Sequence, residues 1–174
     1  AWNWQQGSML QWMGPDHETK IIYNDRVNDK FVSIIYDLET AEKKEFAMAV
    51  YSVSNEGSKA LCIDNERLSW FRSGYSYVGI NNPKKNKKFD SEDGIWLLDF
   101  DMGTSERIVS LGQLVNLNEL DNMKDSVHYI EHIIFNPDGS KFQFLHRWIL
   151  PDGGVHTRLF VANTDGTDII LLND

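Results

Sequence analysis

The chain has 174 residues, 41% of them hydrophobic and 25% charged, with 17 basic against 26 acidic side chains and a formal charge of −9. This composition suits a single globular domain and excludes pervasive disorder. The acidic balance excludes a general phosphate-backbone binder, so no nucleic-acid partner is expected. The single cysteine, Cys62, excludes an internal disulfide and a cysteine-rich metal site, and its apolar neighbours read as burial. No stretch approaches the roughly 18 apolar residues of a membrane helix, so no membrane insertion is expected.

The start, Ala1-Trp2-Asn3-Trp4, lacks Met and reads as a processed or excised piece. The location, bacterial cytoplasm or periplasm, is not readable from it. The opening segment Trp2-Asn3-Trp4-Gln5-Gln6-Gly7-Ser8-Met9-Leu10-Gln11-Trp12 then runs into the first strand. Its Trp residues are expected to pack. Gln5 and Gln6 offer amides to a hydroxylated ligand, or else cap loose strand ends.

Repeats dominate the rest of the chain. Phe135-Asn136-Pro137-Asp138-Gly139-Ser140-Lys141-Phe142 aligns with Val53-Ser54-Asn55-Glu56-Gly57-Ser58-Lys59-Ala60, and Trp12 to Tyr23 is a degenerate third copy. Each reads as a strand, a polar turn and a second strand, which is a hairpin signal. A second hairpin follows each, at Ser33–Phe46, Ile95–Leu111 and Leu159–Leu172. Two hairpins in series make a four-stranded meander, so the chain reads as all-β. The units run over about 5–46, 47–115 and 126–174 of one segment, 1–174. No stretch sustains a helical period; Leu114 to Met123 reads as two helical turns or as loop. The middle unit carries a long insertion, 64–93, holding Arg67, Trp70, Phe71, Arg72, Tyr75, Tyr77 and the basic run Lys84–Lys88. Insertions of this length are commonly functional or mobile. The basic run itself reads first as a solvated loop tip.

Asn136-Pro137-Asp138-Gly139 and Asn163-Thr164-Asp165-Gly166 resemble the turns of the WD40-like, TolB-type (PD40) β-propeller repeat. The resemblance implies three four-stranded antiparallel blades. Because about four blades are the least that close a ring, they imply part of a larger propeller or a homodimer that completes one. A fragment is the favoured of these two.

Four of the five histidines, His128, His132, His146 and His156, fall late in the chain. In an extended segment His128 and His132 share a face. The meander brings all four toward one rim, with Glu131. They converge there as metal ligands or a general base, or they make separate local bonds.

The Trp/Gln-Gly-Ser-rich opening strand, the Pro-Asp-Gly turns and these histidines together resemble the bacterial oligogalacturonate lyase-like propellers. That resemblance implies β-elimination on acidic, uronate-bearing oligosaccharides with a divalent metal, Mn. Carried onto this chain it implies His132, His146, His156 and Gln5 as metal ligands. His132, Arg147 and Arg158 become the catalytic residues, and Trp4, Gln6, Arg72, Tyr75 and Tyr77 the substrate contacts. The alternative is a non-enzymatic propeller module that binds a protein or glycan partner.

Overall fold

A computed structural model describes residues 1–80, 84 and 87–174. Part of the basic run, Pro83, Lys85 and Asn86, lies outside the described residues. The fold is all-β, with three four-stranded antiparallel sheets in strict meander order among the described residues. The first blade holds β1 (Gln11–Trp12), β2 (Lys20–Val27), β3 (Lys30–Asp37) and β4 (Lys43–Phe46). The second holds β5 (Val50–Val53), β6 (Lys59–Cys62), β7 (Gly94–Asp99) and β8 (Thr104–Ser110). The third holds β9 (Val127–Phe135), β10 (Lys141–Ile149), β11 (Val155–Asn163) and β12 (Ile170–Asn173).

The recurring turns close by the same local bonds. Gly139 N–H donates to Asn136 O at 3.0 Å, Gly57 N–H to Ser54 O at 2.8 Å, and Gly166 N–H to Asn163 O at 2.8 Å. All three glycines have positive φ, which their missing Cβ permits. A different connection, between the middle strands β2 and β3 of the first blade, is the turn Asn28-Asp29, with both residues at positive φ, the backbone a tight two-residue hairpin needs.

Alternation along the strands builds two inter-blade cores. β10 buries Phe142, Phe144, His146 and Trp148 and presents Gln143, Leu145 and Arg147 on its other face. Phe142, Phe144 and β11 Phe160 join Leu61, Ile95, Val109 and Leu111 of the second blade and its link. The opposite face of β6, Ala60 and Cys62, packs on Met13, Ile22 and Phe46 of the first blade. Each buried aromatic contributes about 2–3 kcal/mol. Cys62 is fully buried, and burial pushes its thiol up.

Two short helices depart from the sequence reading. In the insertion, α1 (Asn65–Phe71) is capped by Asp64, whose side chain accepts from Arg67 N–H at 2.9 Å. Seven residues are too few to show a period, but the Asp cap with Glu66 in the first turn was a readable start signal. The second helix, α2 (Leu111–Asn116), begins with a Ser110–Gln113 capping box, ahead of the expected helix start. A 3₁₀ turn, Asp121–Met123, follows it. Among the described residues, no helix is long and apolar enough to cross a membrane.

Arg67 anchors the insertion to the third blade. It donates to Lys87 O, Lys88 O and His128 O at 2.9, 2.9 and 2.8 Å and meets Asp93 at 3.0 Å. Burial and the nearby Asp64 charge push the Asp93 carboxyl up to about 7, against the opposing pull of Arg67. Of the basic run, Lys84 and Lys87 pair with Asp90 at 2.7 and 3.2 Å, and Lys88 donates to Asp125 O at 3.3 Å.

Candidate functional site

The inner strands meet edge to edge. Gln11 of β1 bonds Tyr51 O and Val53 N of β5 at 3.4 and 3.1 Å. On the far side of β5, Tyr51 Oη accepts from His132 N–H at 3.1 Å and Ser52 Oγ from Phe135 N–H at 3.3 Å. A charged cluster sits where β5 meets β9. Glu131 is fully buried. Its Oε2 lies 3.3 Å from Arg72 Nε and its Oε1 2.8 Å from Arg147 Nη1. His132 Nε2 lies 3.8 Å from Oε1.

Arg72 follows α1, and its guanidinium stacks on Tyr75 at 4.4 Å. The opening segment reaches the same place. Gln5 N–H donates to Gly74 O at 3.0 Å, and Trp4 lies over Gly74. The Gln6 side chain meets the Tyr51 hydroxyl, whose pKa burial raises. Trp4, Gln6, Arg72, Tyr75, His132 and Arg147 are thus brought together around Glu131. Two further residues complete the cluster, Tyr51 and Tyr129. The Tyr129 phenol, also raised by burial, meets Arg147, its cross-strand partner. The sequence reading singled out neither as a site residue; the signal that could have found Tyr129 is the face it shares with Glu131 and Arg147.

The expected sharing of a face by His128 and His132 does not occur. The β9–β10 register shifts beside His132, and its φ of 55° marks a bulge that re-aims it. His128 instead turns to the opposite face, with His146, Trp148, His156 and Arg158. His128 Nε2 lies 2.9 Å from Met123 O, and its Nδ1 lies 3.0 Å from His146 Nε2. A carbonyl takes only a donor. His128 therefore carries its proton on Nε2 and accepts from His146 Nε2–H. Buried His146 Nδ1 has no hydrogen-bond partner among the described residues. Burial pushes His146 down to about 3 and lowers His128 as well. His156 is an exposed ring stacked on Trp148 at 5.3 Å.

The expected ligand set of His132, His146, His156 and Gln5 is therefore not assembled. Among the described residues, no group of three or more His, Cys, Asp or Glu is placed to hold a metal. These residues do not fit a bound Mn. Arg158 is equally remote from the cluster. Fully buried, it donates to Leu117 O at 2.9 Å and Asn118 O at 2.6 Å, pairs with Asp174, and so clamps the link between the second and third blades. Tyr77 is buried between the first and second blades, accepts from Asn24 Nδ2 at 3.0 Å, and has its phenol pushed up to about 12 by burial. The Trp residues of the opening also depart from expectation, since Trp2, Trp4 and Trp12 are 75%, 85% and 54% exposed.

No protein-family model matches the sequence, and no curated protein matches it. Solved structures do. The β-propeller domain of the Trilobed protease from Pyrococcus furiosus matches at 16% identity and a TM-score of 0.52, over 92% of this chain and 40% of that one. An acylaminoacyl peptidase in complex with Z-Gly-Gly-Phe-chloromethyl ketone matches at 13% identity and a TM-score of 0.51, over 98% of this chain and 26% of that one. TolB from Acinetobacter baumannii matches at 14% identity and a TM-score of 0.43, over 94% of this chain and 42% of that one. At such identities the likeness concerns fold alone, and it lends no support to the lyase resemblance. The chain is three blades of a β-propeller, spanning less than half the length of the structures it matches.

Proposed function

We propose that this propeller segment binds an acidic, uronate-bearing oligosaccharide at the Arg72–Glu131–Arg147 cluster. The carrying observation is that two part-exposed guanidiniums converge on one buried carboxylate, beside exposed Trp4 and the Arg72-stacked Tyr75. Guanidiniums grip a sugar carboxylate through paired N–H donors. Aromatic faces cover the apolar side of a sugar ring, and Gln6 adds an amide for a hydroxyl. Tyr77, Arg158, His146 and His156 take no part in this site.

Calorimetric titration with digalacturonate and with its neutral counterpart, digalactose, tests this reading. Binding of the uronate alone, weakened at least tenfold by Arg147→Met, supports it. Equal binding of the two sugars, or of neither, overturns it.

One observation favours a second reading, turnover of the bound uronate. His132 is a part-exposed imidazole held on a bulge beside the same Arg147–Glu131 pair. Strained backbone of this kind clusters at working sites. In β-elimination His132 takes the C5 proton while both guanidiniums stabilise the charge that spreads onto the carboxylate. The C4–O bond breaks, the leaving oxygen departs with the electron pair, and solvent protonates it. An absorbance increase from unsaturated uronate, absent in His132→Gln, is the expected result; none in the wild type rejects turnover.

A further inference from the structure

We infer that Glu131 sets the charge of this site so that it accepts a single carboxylate and disfavours a dianion such as a sugar phosphate. The inference rests on the uronate-binding reading. Side-chain exposure is 28% for Arg72, 22% for Arg147 and 1% for Glu131. The cations thus reach solvent and the anion does not. Two guanidiniums and one carboxylate sum to one positive charge. A sugar carboxylate cancels it. A phosphate monoester carries about −1.5 to −2 at pH 7, which leaves the site negative beside a carboxylate that water cannot screen.

Geometry agrees with the charge. Glu131 engages Nε of Arg72 and Nη1 of Arg147, and each guanidinium carries further N–H donors for a ligand. The carboxylate also holds the two cations together against their mutual repulsion. The other titratable groups facing it are His132, Tyr51 and Tyr129; both phenols are raised by burial and stay neutral at working pH.

The test is titration of the full chain and of Glu131→Gln with galacturonate and with galactose 6-phosphate at pH 7.5. The wild type is expected to prefer galacturonate, and the ratio of the two affinities to shift at least tenfold toward the phosphate in the variant. A ratio that moves less than threefold overturns the inference while leaving uronate binding intact. If the wild type binds neither sugar, the uronate reading itself fails. A second measurement needs no variant. The second phosphate proton is lost near pH 6, so wild-type affinity for galactose 6-phosphate, relative to galacturonate, should fall at least fivefold from pH 5 to pH 7.5. A flat or rising relative affinity overturns the inference.

Discussion

Arg147 Nη1 lies 2.8 Å from Glu131 Oε1, a diagonal contact on one face of the β9–β10 pair. It binds the cation to the buried anion without removing it from solvent. Arg147→Met leaves Glu131 buried with Arg72 as its main counter-charge. Because Arg147 is only partly buried, the expected cost is about 2 kcal/mol rather than that of a fully buried pair. Adding Glu131→Leu to Arg147→Met should restore part of it, since no uncompensated charge then remains. Urea denaturation of both variants checks this. A double variant less stable than the single one would show that packing, and not charge pairing, sets the cost.

His146 makes folding sensitive to acid. Its folded pKa is pushed down to about 3 by burial, against an ordinary value near 6.5. The unfolded chain therefore takes up a proton that the folded chain refuses. Its contribution is present above about pH 6.5 and is lost as pH falls, amounting to about 2 kcal/mol between pH 6.5 and pH 5. Asp93, pushed up to about 7, works in the opposite direction over part of this range. The comparison of wild type with His146→Leu cancels that contribution. The stability advantage of wild type over the variant should shrink by about 2 kcal/mol on going to pH 5. A constant difference would mean His146 is protonated in the folded state.

Asn24 stitches the first blade to the second. Its side chain donates to Val50 O and accepts from Val50 N–H, each at 2.7 Å, in a site 1% exposed. Asn24→Leu strands a buried donor and a buried acceptor, with an expected loss of about 3 kcal/mol. Thermal unfolding of the variant provides the measurement, and a loss under about 1 kcal/mol would indicate that water replaces the amide.

Gly139 has a φ of 72°, and a Cβ placed there would meet nothing closer than Ser54 Cβ at 3.9 Å. Backbone conformation, not space, excludes other residues. Gly139→Val should cost about 2 kcal/mol, while Gly139→Asn should cost less than about 1, because Asn tolerates left-handed backbone. Equal losses for the two variants would place the constraint elsewhere.

The three meanders and their glycine turns were legible in the sequence. A turn's dihedrals and a strand's alternation are local properties, and Asn136 to Gly139 or Asn163 to Gly166 declare them within a few residues. The gathering of Trp4, Gln6, Arg72, Tyr75, His132 and Arg147 was legible only as a set of candidates. What the tertiary structure decided was which face each side chain takes. The bulge at His132 separates it from His128, and the His132 N–H bonds the Tyr51 hydroxyl, 81 residues earlier in the chain. His146 lies buried on the face of His128, Trp148 and Arg158, and Glu131 lies on the other between two arginines. Period-two alternation predicts faces only while the ladder stays in register. A single inserted residue reverses the assignment beyond it, and long-range contacts determine where that insertion falls.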